Sequence, residues 1–249
     1  MIFKAQRERM KNPWVILITA ILSFGIAAII IIRLLDFSAF KDSINQAADE
    51  PAQVVIALGV FCIAFLFRAI AWKKVLPSIS LGQSLAGIHL SLGANHVLPL
   101  RLGEPFRIVS IIKRSETSLD AATASTLTLR AADILSVIVI GIVVAPSAFS
   151  DLLGWIGWLL IGIIAIVAIG SWRWLKKIVQ NNTDVKLPGP LALGLSASAW
   201  LLESVLVWQC AHWAGLDVSW SDALLVTTVA VAAQIAAIAP GGFGTYEAA

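Results

Sequence analysis

Charge is what this sequence has least of. Of its 249 residues only 13% are Asp, Glu, Lys or Arg, while 59% are hydrophobic. A soluble domain carries roughly 25% charged residues, so little of this chain is fit to face water. Cysteine is scarce too. Cys62 and Cys210 both fall inside apolar runs, read as small buried hydrophobes, and say nothing about redox compartment. His89, His96 and His212 show no zinc spacing with carboxylates or cysteines. There is no phosphate-cradling GxxxxGK[ST] and no GxSxG elbow. No segment between apolar runs is long enough to form a soluble catalytic domain. The chain is therefore expected to be no enzyme and to carry no metal or cofactor. No cleavable signal peptide is expected either: the first apolar run is too long for an h-region, lacks a small-residue cleavage site and reads as a signal anchor.

Long apolar runs are what the sequence does have. Val15 to Ile32 and Ala52 to Phe67 contain no charge, close to the ~18 residues that mark a membrane-spanning helix. Five spans follow, approximately Pro13–Leu35, Ala52–Trp72, Ala121–Ala145, Leu152–Trp172 and Leu191–Trp213. The net charge of +3 sits mostly in short loops beside these spans, so topology explains it and nucleic acid is not an expected partner. Lys4, Arg7, Arg9 and Lys11, then Lys73 and Lys74, then Arg173, Lys176, Lys177 and Lys186 all fall on one side if the N-terminus is cytoplasmic. The loop from Asp36 to Glu50 on the other side is acidic, with Lys41 its one basic residue. Tryptophans at span ends (Trp14, Trp72, Trp172, Trp174, Trp213) read as interfacial belts.

Two further apolar stretches, Leu81–Leu100 and Asp222–Pro240, are harder to place. If the first crossed the membrane, Arg101, Arg107, Lys113 and Arg114 would lie outside and break the charge rule. Gly82, Gly87, Gly93, Asn95, His96 and Pro99 also argue against an uninterrupted lipid-facing helix. The stretch is expected to be a re-entrant hairpin open to the cytoplasm.

The sequence echoes itself. Trp72 precedes Pro99 by 27 positions, and Trp213 precedes Pro240 by 27. Ile79-Ser-Leu-Gly-Gln-Ser-Leu85 resembles Val218-Ser-Trp-Ser-Asp-Ala-Leu224, and each proline is followed by a glycine, Gly103 or Gly244, and a glutamate, Glu104 or Glu247. The loop count gives the two units opposite topology, as in many secondary transporters. The fold expected is all-α: one polytopic transmembrane helix bundle over residues 1–249 with two re-entrant hairpins in an inverted repeat. Unit one covers about 52–145 and unit two about 191–249. The second unit stops short of the counterpart of 121–145, so the chain is expected to be a fragment of a longer protein.

Charges inside the spans are the candidate functional residues, because each costs about 2.5–3.5 kcal/mol at mid-membrane. Arg130 and Asp133 share a helical face at i, i+3; a self-neutralising structural pair and a pair lining a headgroup path both fit. Glu203 has no partner in its own helix, so it is either a proton site or the partner of an arginine on another span. Arg68, near a span end, reads as a snorkelling residue. The densest polar cluster runs from Asn95 to Arg107. There Pro99 and Gly103 break the helix, Glu104 and Pro105 start another, and Arg101 and Arg107 are placed to converge on a phosphate. In the second turn Pro240, Gly241, Gly242, Gly244 and Glu247 allow close backbone approach to an anion.

These segments resemble a known family. Asn95-x2-Leu98-Pro99-x-Arg101-x-Gly103-Glu104-x2-Arg107 and Pro240-Gly-Gly-x-Gly-x2-Glu247 look like the two signatures of the lysylphosphatidylglycerol synthase transmembrane-domain family, and Arg130-x2-Asp133 matches its mid-span Arg/Asp. Members often carry a glutamate where this chain has Leu129. The likeness covers about residues 10–249 and includes no synthase domain. It implies lipid translocation or binding: a flippase or transporter for a phosphate-bearing or aminoacylated lipid in the cytoplasmic membrane. Membrane lipids are the expected partners, and a second copy of the chain or a lipid-modifying enzyme remains open. The competing readings are a scaffold for such an enzyme and a membrane enzyme acting on a lipid-linked substrate.

Overall fold

A computed structural model of the chain describes residues 36–97, 103–144 and 184–236, with Gly25 and residues 173, 176, 177, 179 and 180. The spans read over 152–172 and, Gly25 apart, over 13–35 lie outside the described residues, as do the two turns at 98–102 and 237–249. Within the described residues every regular element is a helix. In chain order these are α1 (Phe37–Asp49), α2 (Pro51–Val75), α3 (Leu81–Val97), α4 (Gly103–Arg114), α5 (Leu119–Val144), α6 (Pro190–Trp213) and α7 (Trp220–Ala236).

Three of them, α2, α5 and α6, are long and apolar enough to cross a membrane. At 1.5 Å per residue, their 24–26 residues reach about 36–39 Å, more than the ~30 Å hydrocarbon core. Proline at the first turn of both α2 and α6 presets the helical φ where its missing N–H costs nothing. Their outer faces present Val55, Ile56 and Leu58 on α2 and Val139 and Val143 on α5, side chains suited to lipid. Cys62 and Cys210 lie on exposed faces too. They are small apolar surface residues and not the buried ones expected, because these helices are apolar all round and sequence does not say which face turns inward.

The buried residues of α6 are Ala192, Ser196, Ala199 and Ser204, and α2 buries Ala57, Ala64 and Ala71 at seven-residue intervals. Small side chains let transmembrane helices approach closely, and α2 and α6 form the most extensive helix pair. They run antiparallel. At one end Gln209 Nε2 donates to Gln53 Oε1 at 2.7 Å and Trp213 Nε1 donates to Glu50 Oε2 at 3.0 Å. At the other end the amide of Lys186, just before α6, donates to the carbonyl of Val75 at 2.8 Å.

Helices α3 and α4 make an antiparallel hairpin. Gln83, near the start of α3, donates to the carbonyl of Arg114 at the end of α4. At the far end, the Asn95 side chain accepts from the Gly103 amide at 2.8 Å. The hairpin leaves and rejoins the bundle at the same end, where Val75, Leu76, Ile79, Ile111, Ala121 and Val185 are all buried. Over their 17 and 12 described residues its arms reach about 25 and 18 Å. Gly82, Gly87 and Gly93 do not interrupt α3, contrary to their reading as helix breakers. Gly87 instead makes room for Trp72, whose ring atoms stand 2.8 and 3.0 Å from where a Cβ would be. Trp72 is itself fully buried, so it is a core residue and not part of an interfacial belt. Its indole N–H donates to Ser125 on α5 at 3.1 Å, the polar partner a buried tryptophan needs.

The two halves repeat a local pattern. Each has a long helix, a short link and a further helix, α2 to α3 and α6 to α7. Each second helix opens on a reciprocal cap. Ser80 Oγ accepts from the Gln83 amide while Gln83 Oε1 accepts from the Ser80 amide. Ser219 and Asp222 do the same. This is the capping-box arrangement. The acidic loop at 36–50 is for its greater part the helix α1. Asp36 caps it through the Ser38 and Ala39 amides. The Ser38 hydroxyl, followed by those amides, holds the Asp36 carboxyl below its usual range.

A Gly87→Leu substitution is expected to lower the melting temperature of the detergent-solubilised protein, at an overpacking cost of about 1–3 kcal/mol. Gly59→Leu, where an added Cβ meets no atom of the described residues within 4 Å, is expected to leave it in place. Equal melting curves for the two variants would contradict the Trp72 contact.

Candidate functional site

Four helices each supply charge to one cluster inside the bundle. From α2 comes Arg68, from α4 Glu104 and Arg107, from α5 Arg130 and Asp133, and from α6 Glu203. The cluster is a ladder of alternating sign. Arg107 Nη1 lies 3.7 Å from Glu104 Oε2. Glu104 Oε1 accepts from Arg130 Nε and pairs with its Nη2. Arg130 Nη1 lies 3.9 Å from Asp133 Oδ2. The other oxygen of Asp133 lies 3.4 Å from Arg68 Nη1 and accepts from the Ser196 hydroxyl. Arg68 Nε and Nη2 close the ladder on Glu203 Oε1 at 3.1 and 2.9 Å. Three arginines meet three carboxylates, so the formal charge is zero.

Aromatic faces hold both outer arginines. The Arg107 guanidinium lies 4.1 Å from the Trp72 ring centroid, and that of Arg68 lies 4.1 Å from the ring of Trp200. Each stack is a desolvated cation–π contact, worth about 2 kcal/mol. Exposure separates the rungs. The Arg130 side chain is 42% exposed, against 8% for Arg107 and 13% for Arg68. On α4, Glu104 Oε2, Arg107 Nε and Ser110 Oγ are buried with no hydrogen-bond partner among the described residues. Trp200 Nε1, beside Arg68, is in the same state, so polar capacity is left over at both ends of the ladder.

The local sequence explains the placement. Glu104 and Arg107 are one turn apart on α4, and Gly103, Arg107, Ser110 and Ile111 form its buried stripe. A side chain at Gly103 would collide with the Ser91 carbonyl and the Asn95 side chain. Glycine therefore lets the hairpin arms close at the height of Glu104. Leu129 is buried, and Glu104 reaches Arg130 from the neighbouring helix.

Of the residues singled out from sequence, Glu104, Arg107, Arg130, Asp133 and Glu203 come together here. Asn95 and Gly103 brace the start of α4. Arg101, Gly241, Gly242 and Glu247 lie outside the described residues, as do the turn residues Pro99, Pro240 and Gly244. Sequence reasoning missed Arg68. It is no snorkelling residue but a cation of the ladder, contacting two carboxylates. The lone Glu203 was the available signal, since an unpaired carboxylate at that depth demands an arginine from another span. Trp200, which stacks on Arg68, carried no signal.

The fold and ladder define a polytopic helical membrane protein with a buried, self-compensated ionic centre. Nearly the whole chain, residues 20–249, matches the family described as the lysylphosphatidylglycerol synthase TM region, and the protein belongs to that family. That family is a membrane domain linked to lipid modification or flipping. No match is found among curated proteins or among solved structures.

Removing one partner of a buried ion pair costs about 3–5 kcal/mol, and replacing both with apolar residues is often neutral. Arg68→Met is therefore expected to destabilise the protein strongly. The Arg68→Met/Glu203→Met double variant is expected to recover part of that loss. Denaturation of the wild type, Arg68→Met, Glu203→Met and the double variant measures the coupling, and strictly additive losses would show that the pair is not an energetic unit.

Proposed function

We propose that the protein is a lipid flippase or transporter of the cytoplasmic membrane, moving a phosphate-bearing or aminoacylated lipid between leaflets, and that it is not an enzyme. One observation carries this reading: six alternating charges are held inside an apolar bundle, with Arg130 as their exposed rung. Packing alone does not call for them, since apolar residues of similar volume often stabilise a core as well or better. A charged passenger does. Arg130 exchanges Glu104 for a headgroup phosphate, which a guanidinium fork matches with two parallel hydrogen bonds. Glu104 then turns to Arg107, already 3.7 Å away, so no charge is left bare. The acyl chains stay in the bilayer.

The wider architecture supports the same reading. The short α3–α4 hairpin, returning to the end it left, supports a re-entrant element. The antiparallel α2 and α6, with matching capping boxes on α3 and α7, support an inverted repeat. In that repeat the turn from Pro240 to Glu247 is the counterpart of the turn from Pro99 to Glu104. Lys73, Lys74, Lys113, Arg114 and Lys186 gather at one end of the bundle, and Lys41 is the one basic residue in the segments at the other. This asymmetry supports a cytoplasmic basic end and a cytoplasmic N-terminus. The family's description as the membrane region of a synthase supports a second reading, a membrane partner for a separate lipid-modifying enzyme.

Transbilayer movement of labelled anionic and aminoacylated phospholipids in proteoliposomes tests the proposal. Wild type is expected to move at least one of them. Losing a charge-assisted contact of about 1.5–3 kcal/mol is expected to slow movement roughly 10- to 100-fold in Glu104→Ala and Arg101→Ala. Wild-type rates in a well-folded Glu104→Ala protein would refute the ladder's role. Inactivity of the wild type beside a stoichiometric co-purifying enzyme would favour the second reading.

A further inference from the structure

The basic end of the bundle has a shape as well as a charge. A cavity of about 480 Å³ opens there, lined by Ile70, Lys73, Lys74, Pro77, Leu81 and Lys186. Two lysines near a helix C-terminus need no explanation beyond the helix dipole and membrane topology. The third one does. Lys186 comes from a separate segment, pinned across the end of α2 by its amide bond to Val75 and by the burial of the neighbouring Val185. The pinning sets three lysines around one concavity whose other lining residues are apolar. Among the described residues none of the three lysines forms an ion pair.

This cavity is not the ladder seen from behind. At 3.6 residues per turn, Ile70, Lys73 and Lys74 share one stripe of α2, while Arg68, Trp72 and Val75 share the opposite stripe. The ladder stripe is buried among helices, and Lys73 and Lys74 are exposed. The occupant must therefore reach the outside of the bundle at its basic rim, carry negative charge, and offer apolar surface to Ile70, Pro77 and Leu81. An annular phospholipid meets all three requirements. Basic pockets at membrane-protein rims bind anionic headgroups in this way.

We propose that this cavity is a binding site for one anionic phospholipid, its phosphate against Lys73, Lys74 and Lys186 and its upper acyl chain along Ile70 and Leu81. The site is separate from the translocation path and does not depend on that path being correct. Its occupant ties the C-terminal end of α2 to the segment leading into α6.

The test uses the full chain in phosphatidylcholine nanodiscs with spin-labelled phosphatidylglycerol or spin-labelled phosphatidylcholine as probe, and reads the motionally restricted fraction. A lysine near an anionic headgroup contributes about fivefold in affinity, so wild type is expected to restrict phosphatidylglycerol preferentially. The K73Q/K74Q/K186Q variant is expected to lose that preference while keeping its melting temperature, because the three side chains are exposed. Arg130→Gln is expected to retain it. Three results would overturn the proposal: no preference in wild type, an undiminished preference in the triple variant, or release of the labelled lipid by millimolar inorganic phosphate. The last would identify a site for soluble phosphate.

Discussion

A charge inside an apolar bundle must be met by an opposite charge, and most of this architecture serves that requirement. Desolvating a single carboxylate or guanidinium costs several kcal/mol, and only close partners recover it. Arg68 needs Asp133 and Glu203, so α2 has to lie against both α5 and α6 in one rotational setting. Arg130 needs Glu104, so the α3–α4 hairpin has to dock at one depth. The small residues of α6 and Gly103 at the hairpin tip are the steric means to that end. Trp72 and Trp200 then shield the two buried guanidinium groups without competing for their carboxylates.

A ladder of this kind is stable and yet easy to rearrange. Its net charge is zero, and every internal member has a neighbour of opposite sign on both sides. Breaking an internal rung leaves each partner with another close at hand, so an anion entering at Arg130 need not expose a bare carboxylate. An isolated buried pair has no such reserve. The Arg68–Glu203 pair also ties the ladder charges of α2, α4 and α5 to α6.

The long spans were legible in the sequence because unbroken apolar length is itself the signal. The boundaries read for 52–72, 121–145 and 191–213 fall within a few residues of α2, α5 and α6. Which faces turn inward was not legible. Helices apolar all round carry no stripe, so Cys62 and Cys210 were read as buried and Arg68 as snorkelling. The Arg68–Glu203 pair joins positions 135 apart, and only the rotational setting of two helices decides it. Trp72 was misread because an indole at a helix end fits an interfacial belt as well as a core. Gly87 was misread because composition cannot tell a helix breaker from a place where an aromatic ring presses on the backbone. Of the polar cluster read from Asn95 to Arg107, Glu104 and Arg107 join the ladder; the cluster stood out because polar groups at that depth are costly wherever they point.

The most direct test of the central claim is an experimental structure in nanodiscs containing the transported lipid. The account predicts a headgroup phosphate within hydrogen-bonding distance of the Arg130 guanidinium, with Glu104 drawn toward Arg107 and the Arg68–Asp133–Glu203 end intact. A lipid bound elsewhere, with the Arg130–Glu104 pair undisturbed, would contradict it.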